Sequence, residues 1–362
     1  MTRRKKVLFL VPYPIGQAPS QRFRFEQYFQ ILRSNGIDFS IQSFLDKDNW
    51  RLFYSSGDTV GKVIALIKGF IRRSVGLARA GQFDFVFIHR EASPIGPPVF
   101  EWILAKLLRK KIIFDFDDAI WMTDKVSENP IARLVKYRGK FSTICKVAHV
   151  ISAGNQYLCD FARQYNDRVI LNPTTIDTES VHSPARYKNS TNSSTITIGW
   201  TGSHSTLKYL ETLKNTLQQI EGVYPEVEFT VIADKPPTLG LKRINYKPWS
   251  ERTEIEDLAS IDIGLMPLPM DEWSKGKCGF KILQYMALCI PSVSSPVGVN
   301  TSIVDHHRNG FLASSEAEWV DYLSKLIASK ELRLRLGEAG RETVTSYYSV
   351  SSNTSLFLSL FE

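Results

Sequence analysis

Short apolar runs alternate with stretches of three- and four-residue hydrophobic spacing almost from end to end, which predicts strands joined by helices around parallel sheets. In the first half the runs are VLFLV (7–11), FSIQSF (39–44), FDFVFIH (83–89), KIIFDF (111–116), HVISA (149–153) and VILN (169–172), with helical stretches between them at Gln21–Ser34 and Pro97–Leu108. The segment DTESVHSPARYKNSTNSS (177–194) is polar, has no apolar period and reads as a linker or exposed loop. The rhythm restarts with TITIGW (195–200), a helix over Leu207–Ile220, VEFTVIA (227–233), INYKPW (244–249), a helix near Glu254–Ser260 and DIGLMPL (262–268). A helix around Phe280–Ala287, PSVSS (291–295), and helices over Glu316–Ser329 and Glu331–Tyr347 complete it. The pattern predicts an α/β chain of two Rossmann-like, doubly wound parallel-sheet domains facing a central cleft, with ligands at the carboxyl ends of the strands. The first domain is placed at 1–180, the second at 181–347, and 348–362 as a last helix packing back on the first.

Composition narrows the class. A chain of 362 residues suits about two domains, and 43% hydrophobic residues exclude a disordered protein. The net charge of +8 favours anionic partners such as phosphates, an acidic membrane surface or nucleic acid. No aromatic–basic RNA motif accompanies it, so no nucleic-acid partner is expected. Cys145, Cys159, Cys278 and Cys289 form no CxxC pair and fit buried, reduced thiols. The start, MTRRKKVLFLVPYPIG, has the basic head of a leader peptide, but Pro12 and Pro14 break its short apolar run and a first strand fits better. No apolar stretch is long enough to span a bilayer. The expectation is a cytoplasmic protein, with the inner face of the membrane as its place if it touches lipid.

Candidate chemistry in the first half lies after the strands. In PYPIGQAPSQRFRFEQ (12–27), Gly16 allows tight approach to a ligand, Ser20 is a candidate N-cap, and Arg22 and Arg24 could bind an anionic acceptor or donor phosphate, against a solvated helix face as the plainer reading. A GxGxxG fingerprint is absent, which counts against a dinucleotide cofactor. FDFDDAIW (114–121) gathers Asp115, Asp117 and Asp118, a clustering of like charge that packing explains poorly. Asp117 or Asp118 is the candidate for orienting or deprotonating an acceptor hydroxyl. One rival makes Asp115-x-Asp117 a metal-binding DxD; another makes the cluster a helix cap. His89, Arg90 and Glu91 follow the preceding strand and could line the same place. Residues 60–80 alternate apolar and basic positions at helical spacing. The expectation there is a core-facing helix with a wet basic side, with contact to an anionic membrane as the second reading.

In the second half, residues 276–281 (GKCGFK) combine loop glycines and lysines at a predicted helix start. Gly276 and Gly279 permit close backbone approach, and Lys277 and Lys281, four apart, would share one face if both lay on the first turn. They are the candidates for neutralising a departing diphosphate without a metal. GWTGSHST (199–206) places Gly202, Ser203 and His204 in a turn after a strand, and SSPVGVN (294–300) places Gly298 and Asn300 in another; ordinary turns are the competing reading.

The stretch 266–313 resembles the donor-binding core of glycosyltransferase family 4, whose members are retaining and have the GT-B fold. The resemblance rests on Gln284-Tyr285-Met286-Ala287, Pro291, Pro296-Val297-Gly298, Ile303-Val304 and Asn309-Gly310-Phe311-Leu312. It implies transfer from a nucleotide-sugar, UDP- or GDP-linked, to a glycan, lipid-linked or small-molecule acceptor in polysaccharide or glycoconjugate synthesis, with no metal or other cofactor. It also implies a donor held mainly by the second domain; with the residue reading above, the candidates are Gly202, Ser203, Lys277, Gly279, Lys281, Gln284, Gly298 and Asn300, with Gly16 from the first domain. Arg22, Arg24 and His89 would serve the acceptor or an anion; Asp117, Asp118 and Lys281 would act in catalysis. Two departures stand out. The family's paired glutamates fall on Gly276 and Gln284, and its arginine after the first strand of the second domain falls on Trp200, with Lys208 slightly late. Gln284 can still hydrogen-bond ribose hydroxyls but supplies no negative charge. The alternatives are a degenerate nucleotide-sugar-binding protein and a GT-B-like epimerase or hydrolase.

Overall fold

The apolar runs form two six-stranded, wholly parallel sheets in a computed structural model that describes residues 3–55, 57–122, 137, 139–187 and 195–362. The first sheet contains β1 (Lys5–Val11), β2 (Ile37–Ser43), β3 (Phe85–His89), β4 (Lys111–Phe116), β5 (Val150–Ala153) and β6 (Val169–Leu171), in the order β2-β1-β3-β4-β5-β6. The second contains β7 (Ile196–Thr201), β8 (Val227–Ala233), β9 (Ile244–Pro248), β10 (Ile263–Met266), β11 (Ser292–Ser294) and β12 (Phe311–Leu312), in the order β12-β11-β10-β7-β8-β9. The chain order reverses between β1 and β3 in one sheet and between β7 and β10 in the other. Doubly wound sheets bind ligands beyond the strand ends at such points.

The chain divides into two units. One comprises Met1–Thr174 with Thr354–Glu362, the other Thr175–Asn353. The crossing at Thr174–Thr175 lies just before the polar 177–194 segment, whose residues 188–194 fall outside the described residues. In the first unit, Val7 to Val11 and Val86 to Ile88 are buried on both sheet faces, as expected where helices cover both sides of a parallel sheet. The C-terminal helix Val350–Ser359 and the residues after it add Phe357 and Phe361, both fully buried. Phe357 stacks on Tyr28 at 4.1 Å and Phe361 meets Phe9, Phe85 and Phe87. In the second unit Ile198, Trp200, Phe229, Val231 and Leu265 join Leu217, Trp319 and Leu323 from the flanking helices in one core.

Three helices differ from the expected spans. The helix predicted over Gln21–Ser34 is broken into Pro19–Arg22, a short turn at Glu26–Tyr28, and Phe29–Ser34. Ala18, not Ser20, is the N-cap of the first piece, since Pro19 suits the opening helical position and fixes the start one residue earlier. The helix expected over Leu207–Ile220 is two, Leu207–Glu211 and Lys214–Val223. The third concerns orientation: the long helix Thr59–Arg79 turns Ala65, Gly69, Arg73 and Gly76 inward and leaves Val60, Val63, Ile64, Ile67, Ile71 and Val75 exposed, with Leu66, Phe70 and Leu77 half-buried. This overturns the expectation of a core-facing apolar side. Gly69 and Gly76 permit it, because a Cβ on either would lie 2.4 Å from the side chain of Phe44 or Gln42 beneath.

Removing the Phe361 ring should cost the first unit about 3–5 kcal/mol, the usual toll of emptying a closed core site. Urea denaturation of Phe361→Ala against the parent checks this; a loss under about 1 kcal/mol would show that the C-terminal segment does not complete that core.

Candidate functional site

In the first unit, strand register assembles the site. His89 is opposite Asp115, and Asp115 opposite Ser152, so the last rungs of β3, β4 and β5 place three polar side chains in one row. All three are fully buried. His89 Nδ1 lies 2.8 Å from Asp115 Oδ2, and Ser152 Oγ donates to Asp115 Oδ1 at 2.6 Å. Arg24 enters the same place: its guanidinium bonds both Asp115 oxygens, donates to Ser152 Oγ at 3.1 Å, and caps the Asn172 carbonyl just past β6. Burial alone would raise the Asp115 carboxyl, but the Arg24 charge, with His89 beside it, outweighs burial and holds it far below the usual carboxylate range. His89 Nε2 is buried and meets no hydrogen-bond partner among the described residues.

This placement corrects one expectation, for Arg24, and bears on the rival DxD reading. Arg24 is not on an open helix face awaiting an anion: it is buried and committed to Asp115. Asp115 and Asp117 do not converge, because the first is met by Arg24 from within and the second by Arg90. Among the described residues no group of three His, Cys, Asp or Glu side chains gathers at metal-ligand spacing.

Asp117 and Asp118 lie just beyond β4, largely but not wholly covered, and share Arg90. Arg90 reaches Asp117 Oδ1 through Nε at 3.0 Å and through a terminal nitrogen at 2.8 Å, and Asp118 at 3.5 Å. Burial would raise Asp117, and Arg90 more than reverses it, so the group is ionised at neutral pH. Burial raises the Tyr13 phenol, with the neighbouring Arg90 charge opposing it. Glu91 pairs instead with Lys140. The loop after β1 is closed by its own residues: Gln21 bonds both backbone groups of Tyr13, and the Gly16 amide donates to Glu26 at 2.9 Å. Arg22 is half-buried with its guanidinium over Phe23 at 5.1 Å.

In the second unit the helix Phe280–Ala287 begins beside the end of β7. Gly279 takes φ +66°, a left-handed conformation that favours glycine, and a Cβ there would lie 2.3 Å from Ile303. That turn starts the helix at Phe280 and leaves Lys277 in the preceding loop. The two lysines therefore do not share a first turn. Lys277 lies over the Trp273 ring at 4.9 Å, whereas Lys281 lies over the Trp200 ring at 5.5 Å. Trp200 is 1% exposed, an anchored plate at the end of β7. Gly202 follows directly; a Cβ there would lie 2.4 Å from the Trp200 indole. Lys281, Trp200 and Gly202 thus meet at the switch point of this sheet.

The remaining donor-side candidates sort around that point. Ser203 is exposed and its hydroxyl meets Ser205 at 2.8 Å, while His204 is tied to Asp234. Gly298 has φ +54° and presses against the backbone of Lys275, which docks the 294–300 loop on the end of the short helix Glu272–Lys275 just before the 276–281 segment. Asn300 is buried and braces that loop by donating to the Ser295 carbonyl at 2.9 Å. Gln284 is a correction. It is fully buried, its amide donates to Glu254 at 3.2 Å and lies 3.5 Å from His182, so it is turned into the unit and presents no exposed group to a ribose. Trp200 as a seat for Lys281, and Arg90 as the partner of Asp117, were not foreseen as roles. The adjacent strand ends at residues 89–90 and 115–117 were the only sequence signal for the second.

Residues 195–329 match the family model described as Glycosyl transferases group 1. No curated protein matches the sequence. Among solved structures, a glycosyltransferase from Rickettsia africae is similar with a TM-score of 0.69 at 13% identity, covering 99% of this chain and 98% of that one. Sucrose-phosphate synthase from Thermosynechococcus elongatus is similar with a TM-score of 0.68 at 13% identity, covering 99% of each chain. HepE of Anabaena, solved with UDP and glucose, gives a TM-score of 0.64 at 14% identity over 98% of this chain and 99% of that one.

Arg24→Met should destabilise the protein by about 3–5 kcal/mol at pH 7, because it leaves a buried carboxylate unmatched. The Asp115 value in the folded chain lies below its unfolded one. The stabilisation from its ionisation is therefore complete above the unfolded value near 4 and is lost as pH falls towards the folded one. Relative to the parent, Asp115→Asn should therefore show its deficit at pH 7 reduced by about 1 kcal/mol at pH 3. Denaturation at both values is the check, and a pH-independent deficit would contradict it.

The strand order, the two parallel sheets and these likenesses show a chain with the GT-B fold of glycosyltransferases, whose residues 195–329 match the group 1 glycosyl transferases.

Proposed function

We propose that the chain is a retaining glycosyltransferase that moves a sugar from a nucleoside-diphosphate sugar, UDP- or GDP-linked, to a glycan, lipid-linked or small-molecule acceptor without a metal. The observation that carries this reading is the Lys281 ammonium, held over the buried Trp200 ring at the switch point of the second sheet, inside the stretch that matches group 1 glycosyl transferases. HepE of Anabaena, a structural neighbour, was solved with UDP and glucose, which supports a nucleotide-sugar as the donor class.

The chemistry asked of the site is modest. As the bond between the anomeric carbon and the phosphate oxygen breaks, its electron pair leaves with the nucleoside diphosphate, and negative charge grows on the departing phosphate. Lys281, Lys277 and the positive end of the Phe280–Ala287 helix dipole meet that charge. The acceptor oxygen forms the new bond from the same face of the sugar, and its proton passes to the departing phosphate. On the first unit, Asp117 and Asp118, clamped by Arg90, are the candidates for holding the acceptor hydroxyl. A nucleotide-sugar binder without turnover is the second reading. It is favoured by Gln284, whose amide is engaged with Glu254.

Incubation with a panel of UDP-, GDP- and dTDP-sugars should raise the melting temperature with one base series, since a ligand bound only by the folded chain stabilises it. With that donor, turnover should persist in EDTA. Lys281→Ala should reduce kcat/KM on the order of 100-fold, the usual effect of deleting a donor to a developing anion. Loss of turnover in EDTA would contradict the metal-free scheme. Stabilisation by a donor with no product from any acceptor and no hydrolysis would favour the binding protein.

A further inference from the structure

Arg90 stands in a backbone conformation that arginine rarely takes. Its φ is +61°, and the Glu91 amide donates back to the His89 carbonyl at 2.7 Å, which closes a three-residue turn around it. Turns of this kind, with a left-handed residue at the centre, are strained and persist only where their surroundings over-determine them. The turn also sets where Arg90 points. Carrying β3 on through residue 90 would send that side chain to the sheet face opposite to His89. The turn lays it across the strand ends instead, onto Asp117 and Asp118.

Three charged side chains from three helices hold the segment that follows. Both polar groups of the Ala92 backbone end on them: the amide donates to Glu101 at 2.9 Å, and the carbonyl accepts from Arg73 Nε at 2.6 Å. Lys140 donates to the Ser93 carbonyl at 2.9 Å and pairs with the Glu91 carboxylate at 2.5 Å. Glu101 belongs to the helix Val99–Trp102, Arg73 to Thr59–Arg79 and Lys140 to Lys140–Val147. Each is 1% exposed. On the other side of the turn, the Arg90 amide donates to the Asp115 carbonyl at 2.7 Å.

Charges so placed cost stability. Burial pushes the Arg73 guanidinium down to about 9, against the Glu101 charge, and pushes the Glu101 carboxyl up. Glu101 Oε2 is buried and meets no hydrogen-bond partner among the described residues. Apolar side chains of similar size would join these helices to the sheet without that cost. They would not fix the backbone of residues 91–93, because that takes donors and acceptors aimed at its amides and carbonyls.

We infer that Arg73, Glu101 and Lys140 are positioning residues for the proposed transfer. By holding residues 91–93 they keep Arg90 in its left-handed turn, and so keep its guanidinium on the two carboxylates that receive the acceptor hydroxyl. None of the three touches those carboxylates; they act through the backbone and through Arg90. The link from Asp117 and Asp118 to the acceptor rests on the proposed function. The link from Glu101 to Arg90 stands without it.

Nitrogen NMR of the arginine side chains tests it at neutral pH without substrate. The Arg90 Nε–H, identified by its loss in Arg90→Lys, should exchange slowly with water in the parent, because it donates to Asp117. Glu101→Ala should speed that exchange by about tenfold or more. Glu101→Gln, which can still accept from the Ala92 amide, should stay within about twofold of the parent. Lys140→Met should behave as Glu101→Ala does, and decides the matter if that variant does not fold. Arg90→Gly should melt above Arg90→Ala, since glycine takes the left-handed turn without strain. With a donor and acceptor in hand, Glu101→Ala should lower kcat on the order of 100-fold and leave the donor KM unchanged, and Glu101→Gln should restore most of it. Lower melting temperatures with the Arg90 Nε–H as protected as in the parent would mean a purely structural role and overturn the proposal. So would Glu101→Gln failing as Glu101→Ala does, Arg90→Ala melting as high as Arg90→Gly, or an unchanged kcat in Glu101→Ala. Faster exchange in a chain that forms no product from any donor and acceptor would count against the transfer alone and leave the hold on Arg90 established.

Discussion

The donor-side geometry depends on one contact, the Lys281 ammonium over the Trp200 ring. A lysine on a flexible stem is a poor anion site unless something fixes where its charge sits. Trp200 does this because it belongs to the core of the second unit and cannot move without disturbing Leu217 and Trp319. The same ring leaves no room for a side chain at residue 202, so the turn after β7 must stay slim. Burying an arginine at position 200 would have required a partner for its charge; an indole costs no such compensation and still attracts the cation through its face.

The first unit solves a different electrostatic problem. Its strand ends carry a stack of ionisable groups, and two arginines divide them. Arg24 neutralises Asp115 from within the core, and Arg90 is shared by Asp117 and Asp118 at the edge. The inner set is buried, with His89, Arg24 and Ser152 all bonded to Asp115, and His89 Nε2 is the one of its buried nitrogens that meets no partner among the described residues. The outer set is only partly covered and keeps two carboxylates near solvent. Separating the two sets explains how three aspartates within four positions coexist without mutual destabilisation.

Strands were highly legible in the sequence. Central parallel strands such as β1, β3 and β4 are continuous apolar runs buried on both faces; β2, β6 and β9, only partly covered, were read from shorter runs between turn signals, and the two-residue β12 was too short to show a period. The helix Phe280–Ala287 was legible from the loop glycines before it and its apolar face. What was not legible was direction. Periodicity marks the two sides of Thr59–Arg79 but does not say which faces the sheet, and two glycines with one buried arginine reversed the ordinary choice. Arg24 and Gln284 look like surface groups in any sequence window. Their burial depends on Asp115 and Glu254, which are 91 and 30 residues away. Lys277 and Lys281 have helical spacing, but Gly279 places the helix start between them.

The central claim is that Lys281 and the start of its helix hold a diphosphate where other enzymes place a cation. A crystal structure with UDP or GDP, whichever stabilises the chain, tests it most directly. The account predicts a phosphate oxygen within about 3 Å of Lys281 Nζ, beside Gly279 and Gly202, with no metal between phosphate and protein. A nucleotide bound with its phosphates away from the 276–281 segment, or bridged to the protein by a divalent ion, would contradict it.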